Sequence, residues 1–589
     1  MPPTQYRTVH TIEVTEDRIG QSVTVAGWVQ RRRDHGGIVF VDVRDATGIV
    51  QVVLDPTEIP DAHRLRMEFC VSITGKVRAR PEGTVNPELA TGRVEIGATE
   101  LVVLSPADVL PFMIEDRVDV DERTRLEFRY LDLRRPSMAS NLVARSRAVG
   151  AMRRVMDRLG FLEVETPTLI VSTPEGARDL LVPSRLRPGT FYALPQSPQL
   201  FKQLLMVAGV ERYYQVAKCY RDEDFRADRQ IEFSQLDLEG SFWGREEVLE
   251  TLEEIVVEVV RELRGVELER PFPRLTWAEA MDRYGTDKPD TRFAMEIADL
   301  SDVFAQTEFR AFSQTLERGG VVRGFNAGAQ ETSRSRLDGL VERAKELGAK
   351  GLVWMVVEAD GTIRSPVAKF LSESELTDLA QALEARPGDL LLLAADDRWR
   401  TAATVLGQLR VELGRPRGHD ELAPLFVIDF PTFEPTDDGG WAPSHHPFTA
   451  PVDVEQMATD PERSISWAYD LVLNGAELGS GSVRIHDPEV QEKVFEVLGI
   501  APDEAERCFG WFLRGLRYGT PPHAGFAIGI DRFVSILCDE PNIRQVIPFP
   551  KTQTGADPLT GAPSPVGDEH LSELGIMLRP GLREPTSEG

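Results

Sequence analysis

The stretch Cys219-Tyr-Arg-Asp-Glu-Asp-Phe-Arg-Ala-Asp-Arg-Gln-Ile-Glu-Phe-Ser-Gln-Leu-Asp-Leu-Glu239 reads as two strand-like arms around a loop crowded with arginine and acid. Five of the six residues from Arg221 to Arg226 are charged. Such crowding between apolar arms is costly unless the charges meet a ligand, although taken singly the segment reads equally well as a solvated hairpin loop. Arg221 ends the first arm, where its planar guanidinium can clamp a phosphate, and Phe233 on the return arm can stack on a flat base. Both features suit a nucleotide.

Two other segments take their place around this hairpin. Downstream, Gly525-Phe-Ala-Ile-Gly-Ile-Asp-Arg532 is an apolar strand with two glycines that ends in an acid and an arginine leading into a helix. The glycines permit close backbone approach and Arg532 can sit over a polyphosphate, while the plain alternative is an Asp-Arg pair that only caps a helix. Upstream, Val149, Met152, Met156 and Leu159 fall on one helix face, Gly160 ends that helix, and Phe161 to Glu165 predicts a strand running into Pro167.

A chain of 589 residues exceeds one hydrophobic core, so several domains are expected. Its longest apolar runs, such as Leu390 to Ala395 and Ile255 to Val260 with Glu258 inside it, fall far short of the roughly 20 residues a membrane helix needs. The first residues show no charged start followed by an apolar run, so a cytoplasmic location without membrane attachment is expected. Cys70, Cys219, Cys508 and Cys538 lie far apart, which predicts buried, reduced thiols rather than a zinc site or a disulfide framework. The net charge of -28 repels polyanions at long range, so any nucleic-acid contact must come from a local basic patch.

From Ser22 to Val103 five short strands are predicted, Val23 to Val29, Ile38 to Val43, Ile49 to Leu54, Phe69 to Val77 and Val94 to Val103, with a helical insert at Asp61 to Met67. That count fits an OB-fold barrel, and another small β-barrel is the alternative. A long helix is predicted from about Glu246 to Arg264, and Thr276 with Glu279 offers a capping box for the next. The expected fold class is α+β multidomain: an OB-fold at 1–105, a hinge at 106–140, a catalytic core split between 141–285 and 425–555, an inserted α+β domain at 286–424, and a C-terminal extension at 556–589. That last stretch is rich in Pro, Gly and Ser and is expected to pack loosely.

The order of the three segments resembles motifs 1, 2 and 3 of class II aminoacyl-tRNA synthetases, whose core is an antiparallel sheet flanked by helices. Over about residues 20 to 555 the local strings resemble the bacterial aspartyl-tRNA synthetases: Ser172-Thr-Pro-Glu-Gly-Ala-Arg-Asp179, Ala193-Leu-Pro-Gln-Ser-Pro-Gln-Leu-Phe-Lys-Gln203, Tyr284-Gly-Thr-Asp-Lys-Pro-Asp290, His445-His-Pro-Phe-Thr449 and Gly479-Ser-Gly-Ser-Val-Arg-Ile-His486. One departure is Ile231, where that family usually has proline.

The resemblance implies an ATP-dependent, two-step joining of L-aspartate to tRNA through aspartyl-adenylate. Arg221 and Arg532 would be the catalytic cations, on the α-phosphate and the outer phosphates. Asp222, Glu223, Gln230, Phe233, Glu477, Gly529, Ile530 and Asp531 would complete the ATP site. Asp470 and Glu477, around the Asn474-Gly475 turn, would hold Mg²⁺, the alternative being surface acids. Arg484 and Lys202 would bind the side-chain carboxylate of aspartate, Glu175, Gln199 and Asp237 its ammonium, with Ser197, His445 and Arg221 nearby.

In the barrel, Trp28-Val-Gln-Arg-Arg-Arg-Asp-His-Gly-Gly-Ile-Val-Phe40 sets three arginines beside a strand, by itself also readable as a solvated basic turn. The resemblance implies that this patch, with Arg31, binds the anticodon loop, Phe40 stacking on a base while Arg33 and Gln51 read base edges. His35 and Gly83 resemble aspartyl enzymes that charge both tRNA(Asp) and tRNA(Asn), where strict enzymes tend to have Leu and Lys. A homodimer is also implied, with Pro167 near its twofold axis, and so is a downstream amidotransferase acting on misacylated tRNA(Asn). The alternatives are a strict aspartyl enzyme, an asparaginyl synthetase, a catalytically dead binding module, and an asparagine-synthesising relative that has lost RNA binding.

Overall fold

The computed structural model describes residues 3–173, 176–223, 227–414 and 421–579. The chain divides into two compact units, Met1–Ala139 and Ser140–Gly589.

In the first unit five strands close into a barrel in the order Ser22–His35, Ile38–Arg44, Ile49–Leu54, Val94–Ser105 and Cys70–Ala79, the arrangement of an OB-fold. Alternation along each strand turns Val25, Val29, Val41, Val43, Val52, Ile73 and Ile96 inward, where all are fully buried. Each such side chain contributes about 1.5–3 kcal/mol on burial. The first strand extends six residues beyond the predicted Val29, so the three arginines lie within it rather than beside it. The reason is that Arg31 to His35 stay paired with Ile38 to Asp42, past a β-bulge between Val29 and Arg31. The extra residue inverts the alternation, so Arg31 and Arg33 pair with Asp42 and Phe40 on the outer face. The predicted helix at Asp61 to Met67 is a short 3-10 turn, Pro60–Arg64. Residues 106–139 carry short helices at Glu122–Glu127 and Arg129–Asp132, held by the buried Asp132, which pairs with Arg125, Arg129 and Arg135.

The second unit is built on an eight-stranded sheet: Arg274–Thr276, Pro424–Ile428, Ala468–Leu473, Ala476–Val483, His523–Gly529, Glu232–Ser241, Arg212–Tyr220 and Leu162–Glu163. The six central strands are antiparallel, and the two short edge strands add parallel pairs. The strand predicted at Phe161 to Glu165 shrinks to Leu162–Glu163. One sheet face packs Leu236, Leu238, Phe526 and Ile528 against Met152, Val155, Leu249, Val256 and Phe533 from the helices Pro136–Arg158, Arg245–Arg264 and Ile530–Leu537. The long helix begins one residue before its predicted start and ends on Gly265 at φ 66, and the capping box of Thr276 and Glu279 forms as read.

A separate five-stranded sheet lies within residues 298–396, with helices Arg334–Glu346 and Trp399–Leu413 packing on one face and Arg310–Glu317 and Glu373–Ala382 on the other. After Thr554 the described residues form turns and one short, mostly exposed helix, Asp568–Glu573. No helix among the described residues is long and apolar enough to cross a membrane. None of the four cysteines is in a disulfide, and against the expectation of buried thiols only Cys219 is buried, Cys70, Cys508 and Cys538 being part-exposed.

Arg410 ties this second sheet to the segment that carries Lys288. Fully buried, its guanidinium donates to the carbonyls of Asp290, Phe293, Ala294 and Met295 and lies 4.8 Å from the Tyr284 ring and 4.3 Å from the Phe293 ring. Burial lowers its pKa to about 10, yet it stays charged at neutral pH. Arg410→Leu is expected to destabilise the fold by about 3–5 kcal/mol, because buried carbonyls lose their donors. Urea denaturation followed by tryptophan fluorescence will measure the loss.

Candidate functional site

The sheet face turned away from the three helices is polar because alternation places Gln235, Asp237 and Glu239 there, opposite Leu236 and Leu238. The glycines of the neighbouring strands press this face together. A methyl group on Gly525 would stand 1.9 Å from Glu239 Oε2, and one on Gly479 would stand 1.9 Å from the Ala527 carbonyl oxygen. Above this floor lies a cavity of about 600 Å³.

At its base two cations meet two carboxylates. Lys202 Nζ is 2.6 Å from Asp237 and 3.1 Å from Glu239. Arg484 donates to Glu239 through Nε at 3.0 Å and Nη2 at 3.3 Å, and to Ser482 Oγ at 2.7 Å. All four side chains are at most 5% exposed. Burial pushes the Asp237 carboxyl above its usual range, against the pull of Lys202. Burial also acts to raise Glu239, but Arg484 and then Lys202 override it and hold that carboxyl below its usual range. Lys202 Nζ also donates to the Leu238 carbonyl at 3.4 Å, which occupies its third N–H, whereas Arg484 keeps N–H donors that a second carboxylate can bind, and a ligand ammonium can meet Asp237.

In the hairpin of Arg212–Tyr220 and Glu232–Ser241, Phe233 pairs with Cys219, two residues before Arg221, which sets the Arg221 guanidinium 5.2 Å from the ring. The Arg221 N–H donates to the Ile231 carbonyl at 2.9 Å, a bond that the proline usual in the family would keep. Gln230 accepts from the Lys551 N–H at 2.9 Å, and its buried Nε2 has no partner among the described residues. Glu223 pairs with Arg229 at 2.6 Å. Arg532, in the first turn of Ile530–Leu537, donates to the Glu477 carbonyl and lies 3.1 Å from Asp228. Arg221 and Arg532, distant in sequence, border the same cavity, as do Gln230, Phe233, Glu477 and Gly529.

Other predicted residues are placed differently. Asp222 is exposed and off the cavity lining, its N–H donating to the Arg178 carbonyl, because the chain turns outward there. Ile530 sends its side chain into the helix-side core rather than the cavity. Asp531 borders the cavity, but its carboxylate accepts the Ser234 N–H and pairs with Arg145, so it anchors the helix to the hairpin. Asp470 lies buried behind the lining, its Oδ1 3.9 Å from His445 Nδ1 and without a hydrogen bond among the described residues. Burial, with the Glu477 and Asp287 carboxylates, pushes its pKa well above the usual range. Ser197, Gln199, Lys202, Asp237, His445 and Arg484 line the cavity together. Glu175 lies outside the described residues.

Burial pushes the pKa of His445 down to about 4 and that of His446 down to about 3, with Arg484 adding to both. His446 accepts the Phe448 N–H on Nδ1, so its proton sits on Nε2, which has no partner among the described residues. Sequence reasoning missed His446, Lys288 and Glu239. Each stood inside a quoted string, and the alternation Gln235, Asp237, Glu239 was the available signal for the last.

On the barrel, Arg31 and Arg33 share the outer face with Phe40 and Gln51. Arg33 lies 3.3 Å from Asp42 and donates to Gln51 at 3.2 Å, and Gln51 donates to Glu95 at 2.9 Å. His35 is exposed at the strand end, and Gly83 sits exposed at φ 80, a conformation that favours glycine.

The profile of the tRNA synthetases class II (D, K and N) matches residues 121–553, and that of the OB-fold nucleic acid binding domain matches residues 23–104. Over 586 residues the chain is 53% identical to a Moorella thermoacetica protein named aspartate-tRNA(Asp/Asn) ligase, covering 98% of this chain and 97% of that one. Proteins of the same name from Thermobifida fusca and Bacillus subtilis are 51% and 50% identical, covering 96% and 97% of this chain and 97% and 99% of their own. Among solved structures, asparaginyl-tRNA synthetase from Pyrococcus horikoshii, complexed with asparaginyl-adenylate, is similar at a TM-score of 0.57 and 19% identity, over 92% of this chain and 98% of that one. That likeness shows the fold alone.

The two histidines set a pH dependence. Their folded pKa values lie below the ordinary 6.5, so the unfolded chain binds more protons, and stability present above pH 6.5 is lost as pH falls towards 4 and 3. Between pH 7.5 and 5.5 the His446→Asn variant is expected to lose about 1 kcal/mol less than the parent, measured by urea denaturation at both pH values.

Proposed function

The chain belongs to the class II tRNA synthetases (D, K and N), and from that premise we propose that it attaches L-aspartate to tRNA at the expense of ATP, on both tRNA(Asp) and tRNA(Asn). The observation that carries this reading is the convergence of Arg221 and Arg532 on one cavity whose base holds Lys202 and Arg484.

In the first step an oxygen of the aspartate α-carboxylate attacks the α-phosphorus of ATP. A P–O bond forms, the bond to pyrophosphate breaks, and aspartyl-adenylate results. Arg221 offsets charge on the α-phosphate and Arg532 holds the outer phosphates. The nucleophile is already an anion, so no protein base is needed. In the second step a terminal ribose hydroxyl of tRNA attacks the adenylate carbonyl, forming the ester and releasing AMP. Phe233 stacks on adenine while Gln230, with its unpartnered Nε2, and Glu223 border that end. The buried Asp470 Oδ1, without a hydrogen bond among the described residues, stands beside Glu477, and these carboxylates suit a hard divalent cation, so Asp470 and Glu477 would hold Mg²⁺. That ion would supply charge neutralisation for the phosphates.

Lys202 and Arg484 hold the side-chain carboxylate of aspartate, and Asp237, Gln199 and Glu175 receive its ammonium. Asparagine would set an NH2 against the two cations and leave buried donors unpaired, a loss that can reach about 10⁴-fold.

On the barrel, Arg31, Arg33, Phe40 and Gln51 bind the anticodon loop, with His35 and Gly83 close to the base that separates the two tRNAs. The names of the relatives support the double specificity. Aspartate on tRNA(Asn) is then a substrate for an amidotransferase. Exposed apolar residues at Leu162, Leu169, Val171, Leu181 and Phe191 support a homodimer closing near Pro167. We place the enzyme in the cytoplasm, and we read 286–424 as an insertion in a core formed by 141–285 and 425–555, with 106–140 as the hinge and 556–589 as an extension.

Arg484→Ala is expected to abolish aspartate-dependent pyrophosphate exchange while leaving ATP binding within about 3-fold, since it removes a charge-assisted contact to aspartate only. A near-normal exchange rate would refute the assignment. Purified tRNA(Asn) is expected to be aspartylated well above background, and a background rate would leave specificity for tRNA(Asp) alone.

A further inference from the structure

Behind the amino-acid end of the cavity runs a chain of hydrogen bonds. His523, at the start of its strand, and Gln203, on the helix Gln199–Val207, are both fully buried, and Gln199 is 8% exposed. His523 Nδ1 lies 2.8 Å from the Pro521 carbonyl oxygen, His523 Nε2 lies 3.0 Å from Gln203 Nε2, and Gln199 Nε2 lies 2.9 Å from Gln203 Oε1.

Each bond has only one allowed direction. A carbonyl oxygen can only accept, so Nδ1 carries the ring proton. Burial lowers the pKa of the ring, so at neutral pH Nε2 keeps its lone pair. Nε2 must then accept from the Gln203 amide NH2, which leaves the Gln203 oxygen to accept from the NH2 of Gln199. The Gln199 oxygen is the end left over, and among the described residues it has no protein partner. An isolated glutamine amide has no such preference, because its two ends are nearly the same in size and differ only in donor and acceptor.

We propose that Gln203 and His523 are positioning residues that fix the Gln199 amide with its oxygen, not its NH2, available to the α-ammonium of the amino acid. This rests on the reading that Gln199 meets that ammonium. The polarity begins at the Pro521 carbonyl and passes through three side chains, none of which but Gln199 borders the cavity. If the polarity were reversed, an NH2 would face an NH3⁺. The relay therefore selects for a cationic amino group at this corner, independently of the carboxylate clamp at Lys202 and Arg484.

The test compares two ligands that differ at that corner. L-Aspartate carries the ammonium, whereas succinate keeps both carboxylates and lacks it. KM for L-aspartate, KM for ATP and the inhibition constant of succinate are measured in pyrophosphate exchange for the parent, His523→Leu, Gln203→Met and Gln203→Glu. In His523→Leu and Gln203→Met the amide of Gln199 can turn over, so KM for L-aspartate is expected to rise about 10-fold, while KM for ATP and the succinate constant stay within about 2-fold. A carboxylate at position 203 still accepts from Gln199 Nε2, so Gln203→Glu is expected to keep KM for L-aspartate within about 3-fold of the parent. Gln203→Met and Gln203→Glu decide the matter if His523→Leu does not fold. Equal weakening of L-aspartate and succinate, or no change in either, overturns the relay. A parent enzyme with no aspartate-dependent exchange overturns instead the reading on which the relay rests.

Discussion

The buried pairing of Lys202 and Arg484 with Asp237 and Glu239 is the constraint around which the second unit is organised. Four charged groups at most 5% exposed would be ruinous singly, and even paired they contribute little to stability against an apolar replacement. Their arrangement makes sense as a receptor. Glu239 pairs with both cations, and Arg484 keeps N–H donors beyond those it gives to Glu239 and Ser482. The opposite sheet face supplies the stability that this face forgoes, through Leu236, Leu238, Phe526 and Ile528 packed on three helices.

Such a cluster works only if the strands beneath it lie close and do not shift. Glycine provides that closeness at Gly479, Gly481 and Gly525, where any side chain would collide with a neighbouring backbone or with Glu239 itself. A β-bulge opposite Leu471 and Val472 provides the alignment. Glu477 and Arg484 are an odd number of residues apart, so a regular strand would direct them to opposite faces. The bulge inserts one extra residue, with Leu471 paired to Gly479 and Val472 to Glu477, and so lets Glu477 and Arg484 share one face.

The barrel uses the same device for a different end. Its bulge after Val29 turns Arg31 and Arg33 outward beside Phe40 and Gln51 in a chain whose net charge of -28 would otherwise repel RNA. The neighbouring acids Asp42 and Glu95 fix Arg33 and Gln51 by pairing, so this part of the basic patch is oriented. On the proposed reading, attraction at the patch competes with the repulsion of the whole chain and prevails only within about a Debye length, roughly 8–10 Å.

The barrel strands, the long helix ending at Gly265, the capping box at Thr276 and the two arms of the Arg221 hairpin were all legible in the sequence, because each depends on periodicity or on contacts a few residues long. So was the convergence of motif residues on one site, through the order of Arg221, Glu477, Arg484 and Arg532. Other features were not legible: that Ile530 faces the core, that Asp222 turns away, that Asp531 is an anchor, and that Glu239, Lys288 and His446 belong to the site. The direction of the Gln199 amide depends on Pro521, more than 300 residues away in the chain. Sequence determines which groups are present and which local structure they favour. Which face a side chain takes and which partner it meets are decided by bulges and by strand pairing between distant segments, and a shift of a single residue there exchanges the buried and the reacting sides of a strand.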